Sequence, residues 1–438
     1  MNDQPASNSS DVSRRNFLKT TAVAGTAVAA ASLVTPIARG AWGGGGRAGR
    51  IKVGVVGCGG RGIGAAGDCL SGSPDTEIVA IGDVMKDRVN EAKQHLSGLD
   101  GGLSSRVNLG DRTFTGFDAY KQVLASGIDM VILATAPGFR PIHFEAAVNA
   151  GKHIFFEKPV GVDPTGIRKV LAAGELAKTK GLSVVTGTQR RHETCYLEAM
   201  KRIQDGAIGK VVAANVWWNQ GLLWDKPRQP EWSDMEFQIR NWLYYTWLSG
   251  DHIVEQHVHN IDVMNWAMGT TPKRCIGLGG RQSRTEAKYG HIFDHFAIQY
   301  VYDDVRVGNS QCRQADGCAN KVSEQIIGTK GVATLTSGYA EIKGEVNWKH
   351  EKSKNNAPYV QEHTDLVKSI TDGKPINEAE RIAHSTLTAI MGRMSAYTGQ
   401  EVTWEQAMAS KLDTMPKELA MGPMPTTPVA IPGKTQFV

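Results

Sequence analysis

Ile51-Lys52-Val53-Gly54-Val55-Val56-Gly57-Cys58-Gly59-Gly60-Arg61-Gly62 is the stretch on which the reading of this chain turns. Its first six residues, rich in β-branched side chains, predict a strand, and a helix is predicted to follow the glycines. Gly57 permits the tight turn, Gly59 lets backbone approach a pyrophosphate, and Gly62 lets the helix pack on the strand; Gly60 and Arg61 share that turn. The helix N-terminus offers free N–H groups and a positive dipole to phosphate oxygens. A second predicted strand, 77–82, ends at Asp83, 21 residues after Gly62, where a carboxylate accepts from the adenosine ribose hydroxyls. An acid at that point repels a 2′-phosphate, which favours NAD over NADP; Lys86 and Arg88 just downstream are the opposing feature.

Outward from this turn, short apolar runs at 130–135, 153–156 and 182–186 alternate with amphipathic stretches at 141–150 and 164–180, the latter capped by Asp163 with Pro164 at the first position. That alternation predicts parallel βαβ units and a first domain over 51–188. Beyond it come a Trp/Tyr-rich region at 216–247, a helix-like stretch at 251–268, and period-two runs at 296–302, 305–311 and 332–336. These predict an antiparallel sheet with one face covered by helices, in a second domain over 189–375. Helices are expected at 359–371 and 377–398, the second stopped by Gly399 within a helical segment 376–412. The five prolines from Asp413 onward predict an extended tail, 413–438.

The first residues are not expected in the fold. Ser13-Arg14-Arg15-Asn16-Phe17-Leu18-Lys19 precedes a mildly apolar Ala/Val/Thr stretch and small residues near 38–41, the pattern of a twin-arginine export signal over 1–41, followed by a glycine-rich linker, 42–50. The twin-arginine translocase is thus an expected partner, and because its cargo crosses folded, a cofactor can be loaded in the cytoplasm and carried out. At 438 residues, 41% hydrophobic and 21% charged, the chain reads as a globular protein of more than one domain. No apolar run reaches the roughly 20 residues of a membrane span, so none is expected to remain after processing. Of the formal net charge of +5, residues 1–41 carry +2, and the remaining +3 is too little to argue for nucleic acid. None of the six cysteines has Cys-x-x-Cys spacing; folding before export favours free buried thiols over a Cys312–Cys318 bridge.

Further motifs carry a family resemblance. Ala134-Thr135-Ala136-Pro137, His143, Ala150-Gly151-Lys152-His153 leading to Glu157-Lys158-Pro159, and the segment from Glu255 to Asp262 together resemble the Gfo/Idh/MocA oxidoreductases, over nearly all of the chain after the signal. The resemblance implies an α/β architecture: an N-terminal Rossmann dinucleotide-binding domain, then a C-terminal α/β domain whose open, mostly antiparallel sheet mediates homo-oligomers, with the active site between them. It places Lys158 beside the nicotinamide in contact with the reacting hydroxyl, where a partly desolvated ammonium can orient an alcohol and share its proton. It also assigns Thr135, Ala136, Pro137, His143, Glu157 and Pro159 to the cofactor's surroundings.

The second signature reads Ser249-Gly250-Asp251-His252-Ile253-Val254-Glu255-Gln256-His257-Val258-His259-Asn260-Ile261-Asp262. As one helix it would set Asp251, Glu255, His259 and Asp262 on one face, at spacings of four, four and three. His259 then takes the place of the general base, with Glu255 nearby and Asp262 contacting substrate or orienting His259. Glu255 stands where an aspartate is common and His257 is an addition, which leaves the base open between His257 and His259. No metal is expected, since His257 and His259, two apart, point to different sides of a helix. Arg190 and Arg191 are expected near cofactor and substrate or in structural ion pairs. Trp217, Trp218 and Trp224 are expected as a platform for a sugar ring or as core.

The function so implied is oxidation of a ring hydroxyl of a sugar or glycoside outside the cytoplasm, with a retained, recycled NAD because an envelope has no obvious free pool. Two rivals stay open: a hydrolase or lyase working by transient oxidation at C3, and a non-catalytic sugar-binding or sensor protein.

Overall fold

The computed structural model describes residues 49–303 and 305–436; the signal at 1–41 and all but the last residues of the linker lie outside the described residues. Six strands build the first sheet: β1 (Ile51–Val56), β2 (Thr76–Asp83), β3 (Thr113–Thr115), β4 (Met130–Leu133), β5 (His153–Phe156) and β6 (Val184–Thr186). All are parallel, in the order β3-β2-β1-β4-β5-β6. Their near-continuous apolar runs are buried on both faces, as a sheet covered by helices on each side requires. Those helices are α1 (Gly60–Gly72), α2 (Lys86–Ser97), α3 (Ala119–Ala125), α4 (Arg140–Asn149) and α5 (Pro164–Thr179). The order reverses direction between β1 and β4, so a crevice opens beyond their carboxyl ends, where ligands of doubly wound sheets bind.

The rest of the chain adds α6 (Thr194–Gln204), β7 (Val211–Gln220), α7 (Asp234–Arg240), α8 (Thr246–Ser249), α9 (His252–Glu255), α10 (Val258–Met268), β8 (Arg274–Gly280), β9 (His295–Val301), β10 (Val307–Gln314), β11 (Lys321–Gly328), β12 (Gly331–Thr336), β13 (Tyr339–Gly344), β14 (Trp348–Lys349), α11 (Pro358–Thr371), α12 (Ala379–Thr398), β15 (Val402–Thr403) and α13 (Trp404–Ala409). Its nine strands run β14-β13-β12-β11-β7-β10-β9-β8-β15, antiparallel except for the β7–β10 pair. Helices α6, α10 and α12 pack on one face. On the other, Ile276 and Leu278 are exposed, so alternate residues of β8 carry apolar groups outward. Helix α11 packs on α1, and the Ile376 carbonyl accepts from Val184 N, so this part of the chain returns to the dinucleotide-binding sheet.

The expected helix over 251–262 is broken. Asp251 takes φ +72°, and its carboxylate accepts from His252 N at 2.6 Å and Phe293 N at 2.7 Å. That left-handed residue starts the single turn α9; α10 begins afresh at Val258, so Asp251, Glu255, His259 and Asp262 share no helical face. Strand β7 runs through the Trp-rich region, and its parallel pairing with β10 sets it mid-sheet. The tail after α13 has no helix or strand among the described residues but is pinned: Thr414 N and Oγ1 donate to Asp163 Oδ2, Gln238 Nε2 to the Met424 carbonyl, and Gly433 N to the Thr398 carbonyl. All six cysteines are free, with only Cys318 exposed.

Candidate active site

The glycine turn has the shape its residues require. Gly57 sits at φ +99°, and a Cβ there would meet the Ala134 carbonyl carbon at 2.6 Å; a Cβ on Gly62 would stand 1.8 Å from the Gly57 oxygen. Side chains at Gly59 and Gly60 would meet nothing within 4 Å, because these two face open space. That space is a cavity of about 550 Å³ running from Asp83, Met85 and Arg88 past the glycines to Lys158 and Glu255. Asp83 accepts from Cys58 N at 2.7 Å and Met85 N at 2.9 Å. Burial raises its carboxyl above the ordinary value against the pull of those amides and Arg88. An extended dinucleotide fits this shape: open glycine backbone at a helix N-terminus in the middle, a fixed carboxylate at one end. Gly62→Ala should force the turn apart, lowering NAD affinity by at least about tenfold and stability by about 1–3 kcal/mol, measurable by NAD titration and thermal unfolding.

Charged groups hold the walls. Arg61 pairs with Asp68 (3.0 Å), Glu157 (2.5 Å) and Glu362 (3.1 Å), with the Tyr359 ring 4.9 Å away. Burial and the neighbouring charge of Glu157 push the Glu362 carboxyl well above its usual range. Arg140 is buried and donates to the Pro159 carbonyl (2.5 Å) and the Thr135 carbonyl (2.8 Å), tying the two loops at the ends of β4 and β5 together. At the far end Arg240, on α7, makes a two-point contact with Asp87 of α2 at 2.7 and 3.1 Å. It thus clasps the Trp-rich segment to the dinucleotide domain beside the cavity.

Lys158 is 14% exposed; its Nζ donates to the Glu255 carbonyl at 2.7 Å and carboxylate at 3.1 Å. An ammonium has three protons, so one donor is left for a ligand in the cavity that Lys158 lines. His259 is buried without a hydrogen bond to either ring nitrogen among the described residues, its ring stacked on Trp218 at 5.6 Å. Burial, then the charge of Lys158, hold its imidazole well below the ordinary value, hence neutral. It does not line the cavity wall but lies close enough to Lys158 to feel that charge.

Of the residues expected at the site, the cavity brings together Gly57, Gly59, Gly60, Arg61, Asp83, Thr135, Ala136, Glu157, Lys158, Trp224 and Glu255. The others lie elsewhere. His257 is fully buried and bonded through Nε2 to Ser310 Oγ at 2.8 Å. Asp262 does not orient His259: its carboxylate is taken by Arg191, Arg381 and Ser385. Arg190 is buried against Glu324, and Arg191 is spent on Asp262. Trp217 and Trp218 cannot form one platform, since adjacent strand residues point to opposite faces; Trp217 instead lies 3.2 Å from Lys321 Nζ. Buried His143 hydrogen-bonds Thr135 Oγ1 at 3.2 Å and faces a smaller cavity of about 180 Å³ that also meets Asp83. Pro137 opens a buried turn before α4. The reading missed Arg140, Arg240 and Tyr359, for which no local motif exists.

Comparison with known proteins agrees with this fold. Residues 51–188 match the model of the oxidoreductase family with NAD-binding Rossmann fold, GFO/IDH/MocA, and 196–334 match the GFO/IDH/MocA C-terminal domain. The chain belongs to the GFO/IDH/MocA oxidoreductase family. Residues 11–31 match the twin-arginine translocation signal sequence, so this oxidoreductase is exported by that pathway. A scyllo-inositol 2-dehydrogenase (NAD(+)) of Bacillus subtilis is 24% identical over 298 residues, covering 67% of this chain and 77% of that protein. Among solved structures, the aldose-aldose oxidoreductase of Caulobacter crescentus complexed with glycerol aligns over 81% of this chain and 99% of its own, at TM-score 0.63 and 16% identity. The scyllo-inositol dehydrogenase of Lactobacillus casei, with NAD(H) and scyllo-inositol bound, covers the same shares at TM-score 0.61 and 20% identity. At those identities the structures speak for the fold.

Proposed function

We propose that this family member is an NAD-dependent dehydrogenase of the cell envelope that oxidises a ring CH–OH of a sugar, glycoside or cyclic polyol and keeps its cofactor between turnovers. The observation that carries the reading is Lys158: a nearly buried ammonium fixed by Glu255, with one free donor facing the cavity that starts at the glycine turn. NAD, when bound, supplies the hydride acceptor. Lys158 orients the substrate hydroxyl, and neutral His259, behind the cavity wall but near enough to feel the Lys158 charge and with no partner for Nδ1 among the described residues, is the group that takes up the proton. His257 is set aside as base because Ser310 and full burial occupy it. Asp83 disfavours a 2′-phosphate, which supports NAD over NADP.

Retention is supported by the Arg240–Asp87 clasp beside the cofactor cavity. A recycled cofactor needs a second substrate, so a carbonyl compound is expected to reoxidise it in the same pocket. The sequence relative named for scyllo-inositol supports a cyclic polyhydroxylated substrate. The open face of the nine-stranded sheet, with Ile276 and Leu278 outward, is where a second copy would pack.

The test is spectroscopic. Protein purified with its cofactor is mixed with a panel of inositols, aldoses and glycosides while the reduced-nicotinamide absorbance is followed. The band is expected to rise with one of them without added NAD and to fall when a keto-sugar follows. A protein that binds NAD yet shows no band with any member ends the proposal; release of aglycone from a chromogenic glycoside without an acceptor replaces it by the elimination scheme.

A further inference from the structure

A second cavity, of about 580 Å³, lies between α8, α12 and the C-terminal tail and shares no lining residue with the cofactor cavity. Its walls are largely apolar, with Trp247, Met394, Leu412, Met424 and Val429 among them; one carboxylate, the exposed Asp413, also lines it. Two polar groups that line it are incompletely matched. Arg393 is 2% exposed, donates from Nη1 to the Gly250 carbonyl at 2.8 Å and has the Tyr397 ring at 6.0 Å, but forms no ion pair with any described carboxylate. The neighbouring acid, Asp251, is already engaged by His252 N, Phe293 N and Tyr397.

The second group is His291, 8% exposed, whose Nε2 accepts from Thr246 N at 3.4 Å and meets Thr246 Oγ1 at 2.7 Å. A ring nitrogen that accepts from an amide is unprotonated, so the neutral ring carries its proton on Nδ1, which is buried and has no partner among the described residues. A guanidinium with no ion-pair partner among the described residues therefore lines one largely apolar space, while the His291 ring forms part of its wall with Nδ1 enclosed behind it. Burying a guanidinium with no ion-pair partner is costly, and an anionic oxygen pair in the cavity would satisfy it.

We propose that this cavity is a binding site for a small organic acid with an apolar body, its carboxylate on Arg393 and its hydrocarbon part against the tail. The volume falls in the range that holds small-molecule ligands. An aqueous sugar does not fit such walls, so this ligand is of a different class from the substrate.

Calorimetric titration of the NAD-loaded protein with octanoate, and separately with 1-octanol, tests it. Octanoate is expected to bind saturably, one per chain, and at least about tenfold more tightly than the alcohol, because only the acid gains charge-assisted hydrogen bonds. Arg393→Gln should remove that preference. Since a buried arginine can matter for folding, Ala430→Trp, which fills the cavity from the tail side, should independently abolish binding of both probes. Equal affinity for acid and alcohol, no saturable binding of octanoate, or undiminished octanoate binding in both variants would overturn the proposal.

Discussion

Lys158→Met is expected to lower turnover by about three orders of magnitude while leaving NAD affinity within about threefold, the range of effect for losing a positioned proton-transfer group. Methionine nearly matches the lysine stem in volume, so packing in the β5 loop is kept and the loss is chemical. Two contacts go with the ammonium, those to the Glu255 carbonyl and carboxylate, and the donor left for substrate goes too. Lys158→Arg should not rescue, because a planar fork cannot reproduce a point donor in a pocket sized for an amine. A second readout separates this role from a merely structural one. The charge of Lys158 is the largest electrostatic influence holding the His259 imidazole down after burial itself, so in Lys158→Met the His259 titration should move upward. That shift is visible by NMR of the imidazole ring. A variant that keeps more than about a tenth of the activity, or leaves the His259 titration unmoved, would falsify the assignment.

How much of this was legible in the sequence follows from how far each determinant lies along the chain. The turn from Gly57 to Gly62 could be read because its geometry is local: a positive φ at Gly57 and a 1.8 Å approach at Gly62 leave no residue but glycine. Lys158 could be placed only through the family motif, and Glu255 came with it. The break at Asp251 was not readable, since its left-handed backbone is held by Phe293 N and by the Tyr397 hydroxyl, 42 and 146 residues away. Asp262 is withdrawn from His259 by Arg381, 119 residues on, on a helix whose pattern says nothing about which acid it meets. Arg240 and Asp87 are 153 residues apart, each unremarkable in its own helix. Strand β7 was hidden because it lies mid-sheet yet is only half-buried along much of its length, so its apolar alternation is weak.

The other large effect concerns pH. Five histidines are buried as neutral rings: His143, pushed down to about 3 by burial and Arg140; His291, down to about 4; and His257, His259 and His363, all well below the ordinary value, with burial the main cause. Each remains unprotonated in the fold but takes up a proton on unfolding below its ordinary pKa, so its contribution to stability is present above about pH 6.5 and is lost, at about 1.4 kcal/mol per pH unit, as pH falls. Glu362, Glu324 and Asp83 act oppositely, because burial raises their carboxyls and the folded state then holds protons the unfolded chain has released. These three carboxyls offset part of what the five histidines lose, and the balance is a net fall in stability between pH 6.5 and 5. His192 does not soften this fall: held at about 9 by Asp365 and Glu378 against the cost of burial, its contribution is complete below pH 6.5 and is lost only toward pH 9. Scanning calorimetry should therefore show an unfolding temperature lower by several degrees at pH 5 than at pH 7, and a shallower decline on the alkaline side. His363→Leu isolates one contributor. Among the described residues neither His363 nitrogen has a partner, and its ring lies 4.0 Å from that of Phe155, so leucine keeps the packing and removes one proton from the balance. The acid slope should then flatten by about 1.4 kcal/mol per pH unit. An unfolding temperature equal or higher at pH 5 would mean that these rings are paired or hydrated in solution, and with them His259 would lose its claim to be neutral beside Lys158.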